Sequence, residues 1–130
     1  ICVTLNAPND WCDHRELLDY GFLHYESVSL AEAGDYVLSL DVINGKKDKI
    51  LCSNTSPLRI TLEKNNSDIT ARTEINRYLC APVKAGECVG KIVFSSDGAE
   101  IGSLDIFALE GTDTIKYKKS FIERIFLWKK

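Results

Sequence analysis

Cys12 and His14 are neighbouring residues whose types could perform nucleophilic chemistry, because a histidine can take the proton of a cysteine thiol. They stand two positions apart in a segment that the sequence predicts to be helical. Side chains two positions apart on a helix point about 200° away from each other, so they cannot share a hydrogen bond. We therefore predict no catalytic site here, and we expect His14 to pack or cap within the first helical turn.

The five cysteines could bind a metal or form disulfide bonds. They are Cys2, Cys12, Cys52, Cys80 and Cys88, and no two of them form a close Cys-x-x-Cys pair, which argues against a structural zinc site. We predict neither a metal nor a cofactor. Cys2, Cys52 and Cys80 lie in apolar runs, where a free cysteine packs as a small buried side chain, so most thiols are expected to be free. The candidate disulfide joins Cys80 and Cys88, which flank a turn.

The first 24 residues predict a strand, a turn and a helix. Residues 1–5 are a short apolar strand, and residues 6–9 have the polar and proline residues of a turn. Asp10 is placed to cap the helix and Gly21 to end it. The partly helical apolar stripe consists of Trp11, Leu17, Leu18 and Tyr20. One strand and one helix cannot bury both of their faces, so we expect this unit to pack against a larger sheet.

From Gly34 onward the sequence has the two-residue period of β-strands. Residues that share one face of a predicted strand are Tyr36, Leu38, Leu40 and Val42, then Leu58, Ile60 and Leu62, then Ile69, Ala71, Thr73 and Ile75. Residues 89–94 and 101–109 predict a hairpin around the turn Ser96-Asp97-Gly98. Strands at this spacing predict a mainly β fold, a small antiparallel β-sandwich.

Charge is divided unevenly along the chain, which has a formal net charge of -3. Residues 115–130 contain six basic residues and one acidic residue, so they carry +5 and the preceding 114 residues carry -8. An acidic body gives no reason to expect nucleic-acid binding, whereas a basic tail favours an anionic membrane surface. No apolar run approaches the ~20 residues that are needed to span a bilayer.

The tail has the pattern of an amphipathic helix. Its apolar arc consists of Phe121, Ile122, Ile125, Phe126 and Trp128, and its basic residues are Lys116, Lys118, Lys119, Arg124, Lys129 and Lys130. One interpretation is a helix that packs on its own β-domain and leaves the lysines in water. The other is a helix that lies flat on a membrane, with aromatic residues at the headgroup boundary and basic residues on anionic lipid. In that case all of these residues associate with the membrane.

Three sequence motifs follow one another along the chain. The first is carried by His14, Leu17, Leu18, Tyr20, Gly21 and Phe22, and the second by Ala81, Pro82, Gly86, Val89 and Gly90. The third is the basic, aromatic tail. This order of motifs resembles the bacterial penicillin-binding D-alanyl-D-alanine carboxypeptidases. In that family the first motif closes the catalytic domain, the second lies in a smaller β-rich domain, and the third is a membrane-associated amphipathic helix.

The resemblance implies that the chain is the C-terminal portion of such an enzyme. Residues 1–24 would be the last strand and helix of the catalytic domain, residues 25–112 a β-sandwich domain, and residues 113–130 a membrane-association helix. The whole enzyme would remove the terminal D-alanine from peptidoglycan stem peptides through an acyl-serine intermediate. The β-domain would be a non-catalytic spacer or docking module that positions the active site relative to the membrane.

The serine chemistry of that family needs Ser-x-x-Lys, Ser-x-Asn and Lys-Thr-Gly, and the chain contains none of them. Lys84-Ala85-Gly86 is the nearest approach, and its glycine favours a β-turn. We therefore expect no hydrolysis by this region, which would meet peptidoglycan only through the catalytic domain.

The expected location is extracytoplasmic, on the outer face of the bacterial cytoplasmic membrane. The partners are an anionic membrane surface for the tail and a protein for the β-domain, with no nucleic acid. The alternative function is an independent extracytoplasmic binding or adhesion module with a basic anchoring tail. Such a module would integrate residues 1–22 into its own core.

Overall fold

A computed structural model describes residues 1–64 and 68–116. The helix α1 (Asp10–His24) comes first and leads directly into the first strand. In the described residues eight strands follow, namely β1 (Tyr25–Ala31), β2 (Val37–Ile43), β3 (Lys49–Ser53), β4 (Leu58–Glu63), β5 (Ile69–Ile75), β6 (Tyr78–Cys80), β7 (Cys88–Ser96) and β8 (Ala99–Ala108). The prediction of a mainly β fold is confirmed.

The strands form two sheets. β1 and β4 pair as a two-stranded antiparallel sheet, and the other six pair in the order β5-β7-β8-β3-β2-β6. β5 and β6 are the two edges of the larger sheet, yet only Asn76 and Arg77 separate them along the chain. So short a connection requires the sheet to curl until its edges approach each other. One pairing differs from the all-antiparallel expectation, because β6 runs parallel to β2 over three residues.

The core lies on one face of the curled sheet, where the two-residue period places the apolar side chains. Ile50, Cys52 and Ile106 are completely enclosed and come from the neighbouring strands β3 and β8. The small sheet contacts the same face near Gly102, where a Cβ atom would stand 3.5 Å from side-chain atoms of Leu58 and Ile60. Burial of this apolar face is the main force that holds the two sheets together.

The strands predicted from Gly34 onward and the predicted hairpin are confirmed. In β2 the alternation leaves Leu38 and Leu40 half-buried and Val42 buried, while their neighbours in the strand are exposed. β7 and β8 pair from Ser96 and Ala99, so Asp97 and Gly98 form a two-residue turn. Both turn residues have positive φ angles, 50° and 77°, which is the conformation that Asp-Gly favours in hairpins.

The predictions for the first segment are partly wrong. Residues 1–5 form no strand in the described structure, and their apolar side chains are exposed. The helix does not end at Gly21 but continues to His24. Gly21 does not adopt the positive φ angle that a glycine has where it ends a helix. Asn9, not Asp10, is the residue that precedes the helix, and the Asp10 carboxylate accepts a 2.9 Å hydrogen bond from the Trp11 amide.

Three strands were not predicted. β1 and β3 have clear signals, since Val28 and Leu30 alternate with serines, and Ile50 and Cys52 flank a single exposed leucine. β6 has only three residues, too few for a periodic pattern. Its Cys80 is exposed, which contradicts the expectation of burial from the apolar run. The side chain lies on the outer face, because the neighbouring Leu79 points inward beside Val42.

Candidate functional site

The chain leaves the β-domain beside the connection between β2 and β3. After β8, Thr112 and Val83 exchange two backbone hydrogen bonds of 2.9 Å. The amide of Lys46 then donates to the carbonyl of Asp113 over 2.8 Å. We call this arrangement the C-terminal clamp, formed by residues 44–47, Val83 and residues 110–115.

The clamp continues to the last residues that the structure describes. Thr114 forms an isolated bridge with Gly45, and the amide of Ile115 donates to the carbonyl of Asn44 over 2.8 Å. Lys116, the first of the predicted membrane-associating residues, follows directly. The remaining ones lie outside the described residues: Lys118, Lys119, Phe121, Ile122, Arg124, Ile125, Phe126, Trp128, Lys129 and Lys130.

Two ion pairs reinforce the clamp. The Lys46 ammonium group lies 2.8 Å from the Asp113 carboxylate, and Lys47 pairs with Glu110. The side-chain hydrogen bonds from the two lysines lower the pKa of Asp113 and of Glu110 below their ordinary values. The two carboxylates and the two lysines therefore neutralise each other locally at this end of the domain.

The chain enters the β-domain through a joint between α1 and the small sheet. Helix and strand meet at His24 and Tyr25 without a linker. Lys64, which follows β4, holds the last helical turn twice: its amide donates to the His24 carbonyl and its ammonium group to the Phe22 carbonyl, each over 2.7 Å. Such contacts satisfy carbonyl groups that a helix end leaves without partners.

Tyr25 connects this joint to β4. Its hydroxyl donates a 3.2 Å hydrogen bond to the Glu63 carboxylate, and this hydrogen bond is the main reason why the pKa of Tyr25 is raised. The rings of Tyr20 and His24 lie 4.4 Å apart between centroids, and the Tyr20 and Tyr25 rings 6.4 Å apart in an edge-on arrangement. The aromatic contacts span helix and strand, so they limit bending at the joint.

An open apolar groove of about 770 Å³ lies between the first residues, α1 and the small sheet. One wall is formed by Ile1, Cys2, Val3, Leu17, Leu18, Gly21 and Phe22, and the other by Tyr25, Glu26, Ser27 and Thr61. α1 has no buried residue. Sequence reasoning missed this groove because it assigned residues 1–5 to a strand, although it did predict that the first unit lacks a partner for its apolar faces.

The candidate nucleophiles do not assemble into a catalytic site in the described part of the chain. Cys12 is exposed on α1, and His14 shares a 3.0 Å hydrogen bond between Nε2 and the Thr4 hydroxyl, which ties the first residues to the helix. Burial raises the pKa of the Cys52 thiol. Cys80 and Cys88 are exposed free thiols in the structure, and their pairing stays a prediction that peptide mapping without reductant would test.

Lys84-Ala85-Gly86 forms the expected turn. The Glu87 amide donates to the Lys84 carbonyl over 3.1 Å, and Gly86 has a φ of 80°. The Glu87 carboxylate accepts a 2.9 Å hydrogen bond from the Lys84 amide, which closes the turn from the other side. The segment is thus a structural turn and does not line a substrate-binding strand.

Comparisons with known proteins agree with this architecture. Residues 25–114 match the family profile described as "Penicillin-binding protein 5, C-terminal domain". The D-alanyl-D-alanine carboxypeptidase DacA of Haemophilus influenzae is 30% identical over 96 residues, which are 72% of this chain and 24% of the relative. DacF of Bacillus subtilis is 25% identical over 97 residues, 73% of this chain and 25% of the relative.

Solved structures give the same result for the fold. The penicillin-binding protein 5 of Haemophilus influenzae superposes with a TM-score of 0.68 at 27% identity, over 78% of this chain and 30% of that chain. The carboxypeptidase DacD of Francisella tularensis gives a TM-score of 0.56 at 24% identity, over 80% of this chain and 27% of that chain. The chain thus spans about a quarter of the length of the relatives that it matches.

Proposed function

The chain belongs to the family of penicillin-binding protein 5 C-terminal domains, and we propose from this premise that it is the non-catalytic region of a longer serine-type D-alanyl-D-alanine carboxypeptidase. The names of both curated relatives support this activity for the whole protein. The longer protein would trim the terminal D-alanine from peptidoglycan stem peptides. This region would not react with them, since it contains no Ser-x-x-Lys, Ser-x-Asn or Lys-Thr-Gly.

In this proposal three segments of the chain have different roles. Residues 1–24 complete the catalytic domain, residues 25–112 form the β-domain, and residues 113–130 associate with the membrane. The assignment of residues 1–24 to the catalytic domain is supported by the exposure of the apolar side chains on α1 and in residues 1–5. An independent adhesion module would bury these side chains in its own core, so their exposure favours the carboxypeptidase over that alternative.

The spacer role rests on our inference that the chain enters and leaves the β-domain toward opposite ends of the larger sheet. β8 begins at the Asp97-Gly98 turn and ends at Ala108, just before the C-terminal clamp. The joint lies toward the other end. Lys64 holds the helix there, and Ile69, five residues later, pairs with Ser96 beside the Asp97-Gly98 turn.

The length of β8 sets the scale of this separation. Its 10 residues span about 33 Å at the usual rise of a strand. A domain that receives the chain at one end and releases it at the other holds its two neighbours apart by roughly that distance. We infer that the β-domain sets the height of the active site above the membrane.

The tail supplies the attachment in this arrangement. Lys46 and Lys47 are already paired with carboxylates, whereas residues 115–130 carry a net charge of +5. Near an anionic surface each basic residue contributes about 1 kcal/mol, and the aromatic residues add apolar burial. The location that follows is extracytoplasmic, peripheral to the outer face of the bacterial cytoplasmic membrane. The part of the chain that the structure describes contains no helix of the length and hydropathy that a membrane span requires.

We predict that sedimentation with anionic vesicles depends on the tail. Deletion of residues 115–130 is expected to abolish binding. Arg124→Gln should lower the vesicle affinity by about fivefold, the equivalent of about 1 kcal/mol. Arg15→Gln is the matched control, because Arg15 lies on α1 at the far end and its loss should leave the affinity unchanged. Binding that survives the deletion, or an equal loss for both arginine variants, would refute the proposed attachment.

A further inference from the structure

One outer face of the six-stranded sheet exposes large apolar side chains that the core does not use. This outer apolar face consists of Val37, Ile43, Leu51, Tyr78 and Leu109, each between 43% and 58% exposed. Val37, Ile43 and Leu51 alternate along their strands with inward-facing residues, so they share the side of the sheet opposite the core. Exposed apolar residues that cluster in this way mark a contact surface.

The register of the strands divides this face into two apolar patches, because the Asp41–Lys49 ion pair lies between them. Leu51 is opposite Ser39 on β2, and the Leu109 amide donates to the Leu51 carbonyl over 2.9 Å, so the two leucines are neighbours. Tyr78 is opposite Asp41 on β2, two residue pairs further toward the clamp, and Lys49 lies on the other side of Asp41. Ile43 and Cys80 form the last pair of this face, directly before the Asn44 turn.

The chain leaves the domain at the edge of this face. Ile115 is bonded to Asn44, the residue after Ile43, and is itself 39% exposed. Fourteen residues follow Lys116. As a helix they would be about 21 Å long, and the six strand steps from Ile43 to Val37 cover about 20 Å. The segment therefore begins next to the face and has the length to cover it.

The apolar patterns and the net charges of the two partners are complementary. The tail presents its apolar arc at helical spacing, with Phe121, Ile122, Ile125, Phe126 and Trp128. Its net charge of +5 would meet a body of -8, while Asp41, Glu110 and Asp113 near the face are already paired with Lys49, Lys47 and Lys46. A basic amphipathic helix can lie on such a surface with its apolar arc inward and its lysines in water.

We propose that residues 117–130 dock on the outer apolar face of their own domain when no membrane is present, and exchange this face for anionic lipid when a membrane is available. The same apolar side chains serve both contacts, so the two states exclude each other. Docking would keep the aromatic tail out of water before the protein reaches its membrane. The lipid half of the exchange rests on the proposed function, whereas the docked half does not.

Tryptophan fluorescence tests the docked state. The chain contains two tryptophans, and Trp11 is 85% exposed on α1, so Trp11→Phe leaves Trp128 as the reporter. Without lipid, its emission should lie at the short wavelength of a buried indole, independently of protein concentration. Leu51→Asp should shift it to the wavelength of tryptophan in water. Leu23→Asp is the same substitution at an exposed leucine of α1, and it should leave the emission wavelength unchanged.

Vesicle binding tests the exchange with the same variants. If nine tails in ten are docked, Leu51→Asp should raise the vesicle affinity about tenfold, because more tails are free to bind. If Trp128 emits at the wavelength of tryptophan in water and Leu51→Asp does not change this emission, docking is overturned and the attachment proposal stands. A blue shift that depends on concentration would assign the face to a second copy. A lower vesicle affinity of Leu51→Asp would assign the face to lipid itself, and either result contradicts the proposal.

Discussion

Replacement of Gly90 by alanine is expected to destabilise the domain by about 3 kcal/mol or more, a large effect for a single methyl group. Gly90 lies at the irregularity of β7 beside Cys88 and pairs with Ile75 on β5. A Cβ atom there would stand 2.5 Å from the Glu74 carbonyl oxygen and 2.8 Å from the Ile75 Cα atom. These are backbone atoms of a paired strand, so no side-chain rotation can relieve the clash.

Urea unfolding measures this effect, and Gly21→Ala provides the matched control. Gly21 lies within α1, and a Cβ atom at this position would meet nothing within 4 Å. Because alanine favours a helix over glycine, the control should be neutral or stabilising by about 0.5–1 kcal/mol. Equal unfolding midpoints for the two alanine variants would show that β5 and β7 do not pair as described.

Asn54→Ala is expected to cost about 2–4 kcal/mol, because one buried amide group satisfies three backbone groups. Asn54 is 2% exposed. Its Oδ1 atom accepts a 3.0 Å hydrogen bond from the Tyr36 amide, and its Nδ2 group donates to the carbonyls of Glu32, at 2.7 Å, and Ser56, at 3.0 Å. The side chain thus joins the loop after β1 to the loop after β3, which connects the two sheets.

The free energy of unfolding from denaturant titration tests this prediction. Asn9→Ala is the control, since Asn9 precedes α1 but its side chain makes no capping hydrogen bond. We expect the control to change the free energy of unfolding by less than about 0.5 kcal/mol. Should Asn54→Ala prove as mild as Asn9→Ala, the side chain would not be the connection between the sheets that the structure indicates.

The sequence predicted the strands whose patterns are long and strictly alternating. β2, β4 and the β7–β8 hairpin repeat over six or more residues, and the hairpin turn has the Asp-Gly pair that its backbone needs. The prediction of secondary structure failed where a strand depends on tertiary contacts. β6 has three residues and is fixed by its pairing with Ile43, while residues 1–5 have a strand pattern but no strand beside them in the described structure.

The candidate surfaces were less predictable than the fold. The joint depends on Lys64, a residue 40 positions from the helix end that it holds, and no local pattern indicates such a contact. The C-terminal clamp likewise unites Lys46 and Lys47 with residues more than 60 positions away. Asn54 is a polar turn residue in the sequence, and only the packing of two loops around it reveals its three hydrogen bonds.

The spacer role is tested most directly by the distance of each end of the domain from a vesicle surface. A dye would be attached to one of two sites, either Cys12 on α1 or Asp48→Cys in the β2–β3 connection. Cys2, Cys80 and Cys88 are replaced by serine in both proteins. Cys12 is also replaced in the protein that is labelled at position 48. Cys52 is completely enclosed and can remain. Energy transfer to acceptors on anionic lipid headgroups then reports how close each site lies to the membrane.

We expect strong energy transfer from residue 48 and weak transfer from residue 12, and none from either site when residues 115–130 are deleted. The difference between the two sites reflects a domain that stands on the membrane at its C-terminal clamp and carries α1 at its far end. Equal transfer from the two sites in the intact chain would mean that the domain lies flat on the membrane, and the spacer role would be contradicted.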